Sequence, residues 1–218
     1  AELLARAERI LTEVPTDSTP RERLSEAQKL LELAVASGPS DYESQSLLIG
    51  LLLRTGQTGA AFERLHQAVG VLPELHVRLA NLYRSQGNRT LSREHARLAI
   101  AQFKDLALED VTNVPARCLW AEAELLLGNH VAVEQIIEQG KKALPDARYG
   151  SVLIKLRLEG AKKALEVNPP DLIAAIDAWQ EILELEPAHP RALRDLSRCQ
   201  RRRARSCHLD SGETPRGD

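Results

Sequence analysis

Residues 47–73 read Leu-Leu-Ile-Gly-Leu-Leu-Leu-Arg-Thr-Gly-Gln-Thr-Gly-Ala-Ala-Phe-Glu-Arg-Leu-His-Gln-Ala-Val-Gly-Val-Leu-Pro. An apolar run closes at Gly56, Ala61 follows five residues later, Ala68 seven beyond that, and Pro73 ends the segment. Glycine relaxes the steric limit on a helix C-terminus, and proline stops the next helix from continuing. Alanines in register between them suit two antiparallel helices crossing at small side chains. Such a pair cannot bury its own apolar face, so it must stack on another like it.

Working outward, the same punctuation recurs as Gly87 with Ala99, and as Gly128 with Pro145. Towards the N-terminus, Leu3, Leu4, Ala7, Ile10, Leu11 and Val14 keep the spacing of one buried helical face over residues 1–14. The cluster Pro15 to Pro20 breaks that helix. A second begins at Thr19-Pro20, with Leu24, Ala27, Leu30, Leu31 and Ala34 turned inward and an end before Gly38-Pro39. Further pairs are expected at about 41–70, 73–103, 115–144 and 151–185, the last turning at Pro169-Pro170-Asp171. A final helix from Pro190 to about Arg205 has no partner in this scheme, and Leu193 and Leu196 are expected to cover the exposed end of the stack. The expected fold is all-α, an α-solenoid of about five antiparallel helix pairs plus a C-terminal capping helix. One repeat domain spans 1–206, and residues 207–218 form a disordered polar tail.

Composition agrees. Aromatic residues make up 3% of the 218 and charged residues 28%, a mixture rich in helix formers and poor in strand formers. From Arg191 onward eight arginines meet four carboxylates, so this end carries +4 while residues 1–190 carry −6. No stretch approaches the roughly 18 apolar residues of a membrane span, and residues 1–14 lack a signal-peptide pattern. Cys118, Cys199 and Cys207 are odd in number and share no metal or redox spacing, which favours a reducing, cytoplasmic setting. The sequence starts at Ala1 and contains no Met, suggesting a processed start or a segment of a longer protein.

The pattern resembles the tetratricopeptide repeat (TPR), whose helix pairs carry small residues at the crossing, a Leu-Gly/Ala-x-x-Tyr element and a closing proline. The residues that carry it are Leu79-Ala80 with Tyr83, then Ala61, Ala68 and Pro73, then Ala27, Ala34 and Pro39, and finally Ala175, Trp179 and Pro187. It covers about residues 1–190. Pair four departs from the pattern, with Val133 and Gly140 where alanines are expected, and pair five has no glycine at its turn. Both could belong to another solenoid variety.

The resemblance implies a non-catalytic scaffold that holds a peptide or partner protein along a concave wall of first helices. Carried over by position, that wall comprises Ser46, Gly50 and Leu53, then Val77, Asn81 and Arg84, then Cys118, Glu122 and Leu125. The subclass that clamps acidic C-termini is disfavoured, because Val77 and Leu119 stand where its Lys and Asn should be.

One alternative is a nucleic-acid-binding repeat using Arg198, Arg201, Arg202, Arg203 and Arg205, since clustered arginine releases counterions from phosphates. The competing reading of that stretch is a solubilising cap, and nucleic acid is the less favoured partner because no aromatics interleave the arginines. Another alternative is a regulatory segment of a multidomain enzyme. The six histidines are scattered in sequence without metal-ligand spacing. Neither cofactor nor metal is expected, and no nucleophile or phosphate-loop motif points to catalysis. Homo-oligomerisation through the apolar first helix is a further possibility.

Overall fold

The computed structural model describes residues 2–12 and 20–210, with side chains through Arg205. Among them are eleven α-helices and no strand. In chain order they are α1 (Glu2–Thr12), α2 (Pro20–Ser37), α3 (Tyr42–Arg54), α4 (Thr58–Ala68), α5 (Leu75–Ser85) and α6 (Arg89–Glu109). There follow α7 (Val114–Leu127), α8 (His130–Ala143), α9 (Gly150–Glu166), α10 (Leu172–Leu185) and α11 (Pro190–Asp210). Contacts divide the chain into two compact units, Ala1–Leu106 and Ala107–Asp218, with the division falling inside α6.

Local chemistry explains where the helices start and stop. The Asp41 carboxylate accepts the Ser44 N–H at 3.2 Å and caps α3. The Asn113 side chain does the same for α7 through Ala116 N–H at 3.0 Å, and Asp171 caps α10 through Ala174 N–H at 2.9 Å. Three turns then close alike. Gly56, Gly87 and Gly128 have φ of 76°, 79° and 86°. In each case the next residue's N–H reaches back five positions, Gln57 to Leu52 O at 2.8 Å, Asn88 to Tyr83 O at 2.9 Å and Asn129 to Glu124 O at 3.0 Å. That bond satisfies a helix-end carbonyl and depends on the left-handed glycine just before it. The glycine-free turn between α9 and α10 closes differently, with Asp171 N–H on Ala164 O at 2.8 Å.

The first unit packs α1 on α2, α2 on α3, α3 on α4 and α4 on α5. Leu4, Ala7, Ala27, Leu31, Leu48, Leu52 and Ala61 form one core, and Ile49, Leu65, Leu72, Leu75 and Leu79 form the next. In the second unit α7 packs on α8 and α9, and α10 packs on both α9 and α11. Its largest cluster gathers Ala161, Ala175, Trp179, Ile182, Ala192 and Cys199. The crossing alanines expected from sequence are buried, Ala27, Ala61, Ala80, Ala99 and Ala175 fully and Ala34 and Ala68 nearly so.

Three expectations need adjustment. The last helix has a partner, α10, and continues to Asp210. It is covered through Ala192, Leu196 and Cys199, while Leu193 stays 48% exposed because it falls on the wrong side of the helix. α6 runs six residues past Phe103, since Ala107 is still buried there. The rest of the tail, 211–218, and residues 13–19, which hold Val14 and most of the first break, lie outside the described residues.

Candidate functional site

The first helices of pairs two and three lie side by side in the first unit, where the Arg78 guanidinium donates to the Ser46 carbonyl at 2.9 Å and ties α5 to α3. On α3, Ser46 and Gly50 are half-buried, and Leu53, at 40% exposure, presents apolar surface to solvent. On α5, Asn81 and Arg84 are exposed. The Asn81 side-chain amide donates to Val77 O at 3.0 Å, which holds the side chain along its own helix. Val77 itself is buried, so it packs in the core and offers a guest no surface. Arg78, one position on, is the residue that sequence reasoning missed.

In the second unit the corresponding positions lie on α7. Leu125 is buried and, like Val77, belongs to the packing. Cys118 and Glu122 are half-buried. Lys155 of α9 pairs with the Glu122 carboxylate at 2.6 Å, so that carboxylate is already occupied by a charge of the same unit. Burial pushes the Cys118 thiol above its ordinary range, the Glu122 charge adds to this and Lys155 opposes it. A thiol held protonated is a poor nucleophile.

The histidines, scattered in sequence, are not all scattered in space. His66 of α4 and His95 of α6 meet at Tyr83 of α5, and His76 of α5 stacks on His95. The Tyr83 hydroxyl lies 2.7 Å from His66 Nε2, its ring stacks on His95 at 5.5 Å, and the His76 and His95 Nδ1 atoms are 3.0 Å apart. Burial, first of all, keeps both His76 and His95 below the usual histidine range, and a neighbouring imidazole adds to it in each case. Among the described residues no group of three or more His, Cys, Asp or Glu side chains, this cluster included, is arranged to hold a metal ion. A second missed feature is a small pocket of about 240 Å³ against α2, α3 and α4, lined by Val35, Pro39, Gln45, Arg64 and Val71 among others. Gln45 donates to Pro39 O at 3.0 Å but leaves its buried Oε1 without a partner. Nothing in the linear pattern announces either feature, because each draws its residues from three helices.

Arg198, Arg201, Arg202, Arg203 and Arg205 are all exposed on α11. No helix among the described residues is long and apolar enough to cross a membrane.

No protein-family profile matches the chain, and no curated relative does. Solved structures do. A TPR protein from Thermus thermophilus superposes with a TM-score of 0.55 at 19% identity, over 91% of this chain and 97% of its own. A second, from Parabacteroides merdae, gives 0.45 at 14% identity over 98% and 80%. The superposition on the Thermus protein, with the all-helical architecture and its glycine-closed turns, shows that the chain has the TPR fold, an all-α helical repeat.

Proposed function

We propose that this chain is a non-catalytic interaction scaffold that holds an extended peptide or a segment of a partner protein against its first helices. The observation that carries this reading is the α3–α5 surface. Leu53 of α3 and Asn81 and Arg84 of α5 are exposed, and the two helices that carry them are joined by the Arg78 to Ser46 bond. A rigid wall loses little entropy on capture, and a few desolvated apolar anchors supply most of the affinity. In the second unit Cys118 and Glu122 are the α7 counterparts of these positions, and the Glu122–Lys155 pair leaves less free charge there for recognition. The free thiols Cys118 and Cys199 are compatible with a reducing, cytoplasmic setting.

The test is a peptide selected from a display library on the full chain, titrated against Asn81→Ala/Arg84→Ala and against Leu53→Asp. Each variant is expected to lose at least about tenfold in affinity, or about 1.4 kcal/mol. Undiminished binding by both would move the site to another surface.

A further inference from the structure

The arginines of α11 are ordered in a way that their number alone does not reveal. At about 100° per residue, Arg191, Arg194, Arg198, Arg201 and Arg205 fall within about 80° of arc. They form one stripe about 21 Å long, at the 1.5 Å rise of a helix. The helix packs through a different side, that of Ala192, Leu196 and Cys199. Arg191, Arg194 and Arg198 share one carboxylate, that of Asp195, each at 3.5 Å. One negative charge cannot neutralise three. Among the described residues Arg201 and Arg205 have no carboxylate partner at all.

A second observation concerns the helix itself. Residues 200–205 are exposed at every position, so over this stretch α11 stands clear of its unit with solvent all round. A segment reading Gln-Arg-Arg-Arg-Ala-Arg repels itself and buries no apolar face that would hold it in a helix. A polyanion laid along the stripe removes that repulsion.

We propose that the α11 stripe docks on the phosphodiester backbone of duplex nucleic acid. The site is separate from the α3–α5 surface and does not depend on it. A protein partner would call for an apolar centre from which charge is depleted, whereas this stripe has only guanidinium groups. Single strands call for aromatic stacking, and α11 contains no Phe, Tyr or Trp. Guanidinium forks match phosphate oxygens in pairs, at a spacing along the helix of one residue every three or four positions. Recognition of this kind reads the backbone and carries no sequence preference.

The experiment is fluorescence anisotropy of the full chain with labelled DNA and RNA duplexes of arbitrary sequence, across a salt series from about 50 to about 200 mM. Five phosphates neutralised on DNA give a slope of log K against log salt of about −4.5, a loss of about 500-fold across that range. Arg198→Gln/Arg201→Gln/Arg205→Gln is expected to flatten the slope by about 2.7. Arg89→Gln/Arg93→Gln/Arg97→Gln, the same charge removed from exposed positions of α6, is expected to leave it unchanged. Preference for RNA over DNA duplex, or the reverse, identifies the natural source of the phosphates. The proposal is overturned by no binding at the lowest salt, by equal loss in the two triple variants, or by tighter binding to poly-glutamate, single strands or phosphatidylserine vesicles than to either duplex.

Discussion

The α3–α4 pair of the first unit and the α7–α8 pair of the second begin and turn in the same way and then cross differently. Each opens on a side-chain cap, Asp41 or Asn113, and each turns at a glycine in the left-handed region with the same backbone bond behind it. In α4 the crossing positions are Ala61 and Ala68, both buried. In α8 they are Val133 and Gly140. An added Cβ at Gly140 would lie 2.5 Å from Arg117 Cδ and 2.8 Å from Tyr149 Cζ, and closer still to the Tyr149 hydroxyl. The departure from the repeat pattern at pair four is therefore a compensation. A large buried side chain from outside the pair fills the space, and the helix yields its last methyl to admit it.

That exchange has a cost in polar groups. Arg117 is buried and donates to Ala107 O at 2.7 Å, but its Nε and the Tyr149 hydroxyl have no partner. Pair two carries a smaller burden, the single unpartnered Gln45 Oε1. What the contrast teaches is that small residues at a helix crossing answer two needs, close approach of a neighbouring helix or room for a bulky plug. The sequence pattern alone does not separate them.

The sharpest way to break the comparison is to enlarge the alanine crossing. Ala61→Leu adds three carbons at a fully buried crossing position, and it is expected to lower stability by about 3 kcal/mol in chemical denaturation. An unchanged midpoint would mean that α4 does not cross at this residue.

Next comes Gly140→Ala. Helix propensity alone would make it stabilising by about 1 kcal/mol. The contacts with Tyr149 and Arg117 are expected to reverse the sign, leaving a net loss of about 2 kcal/mol. Tyr149→Ala should make Gly140→Ala tolerable, so the double variant should be more stable than the two separate losses imply. Strict additivity would show that Tyr149 is not what excludes the methyl.

The smallest expected effect concerns pH, and it should appear in the first unit. His76 and His95 bind a proton less readily in the fold than in the unfolded chain, where the value is near 6.5. Their contribution is therefore complete above about pH 6.5 and is lost as pH falls below it, because the unfolded state takes up protons first. Glu94 pulls His95 the other way and tempers the loss. Hydrogen exchange at about pH 5.5 compared with about 7.5, corrected for intrinsic rates, should show weakened protection across residues 75–95 and less change across 114–144. His76→Gln should reduce the difference, and equal weakening of both segments would place the sensitivity elsewhere.

Much of this architecture could be read from single residues. Gly56, Gly87 and Gly128 mark the turns because only glycine takes a positive φ there without strain, and Asp41, Asn113 and Asp171 mark starts through local bonds three positions long. Buried alanines at helical spacing fixed which faces meet. The candidate surface was less legible. Ser46 is half-buried and Leu53, Asn81 and Arg84 are exposed, whereas Val77 and Leu125 are buried in the core. A shift of one residue turns a side chain by about 100°, and carry-over does not fix rotation that finely.

Local signals are short-ranged, so the sequence by itself determined the helices, their order, their turns and the charge of the last one. Which side chains from different helices share one neighbourhood depends on how those helices pack. Only the tertiary structure could therefore decide that Tyr149 and Arg117 close over Gly140, that Tyr83 and His76 gather with His66 and His95, and that α11 is bare over residues 200–205.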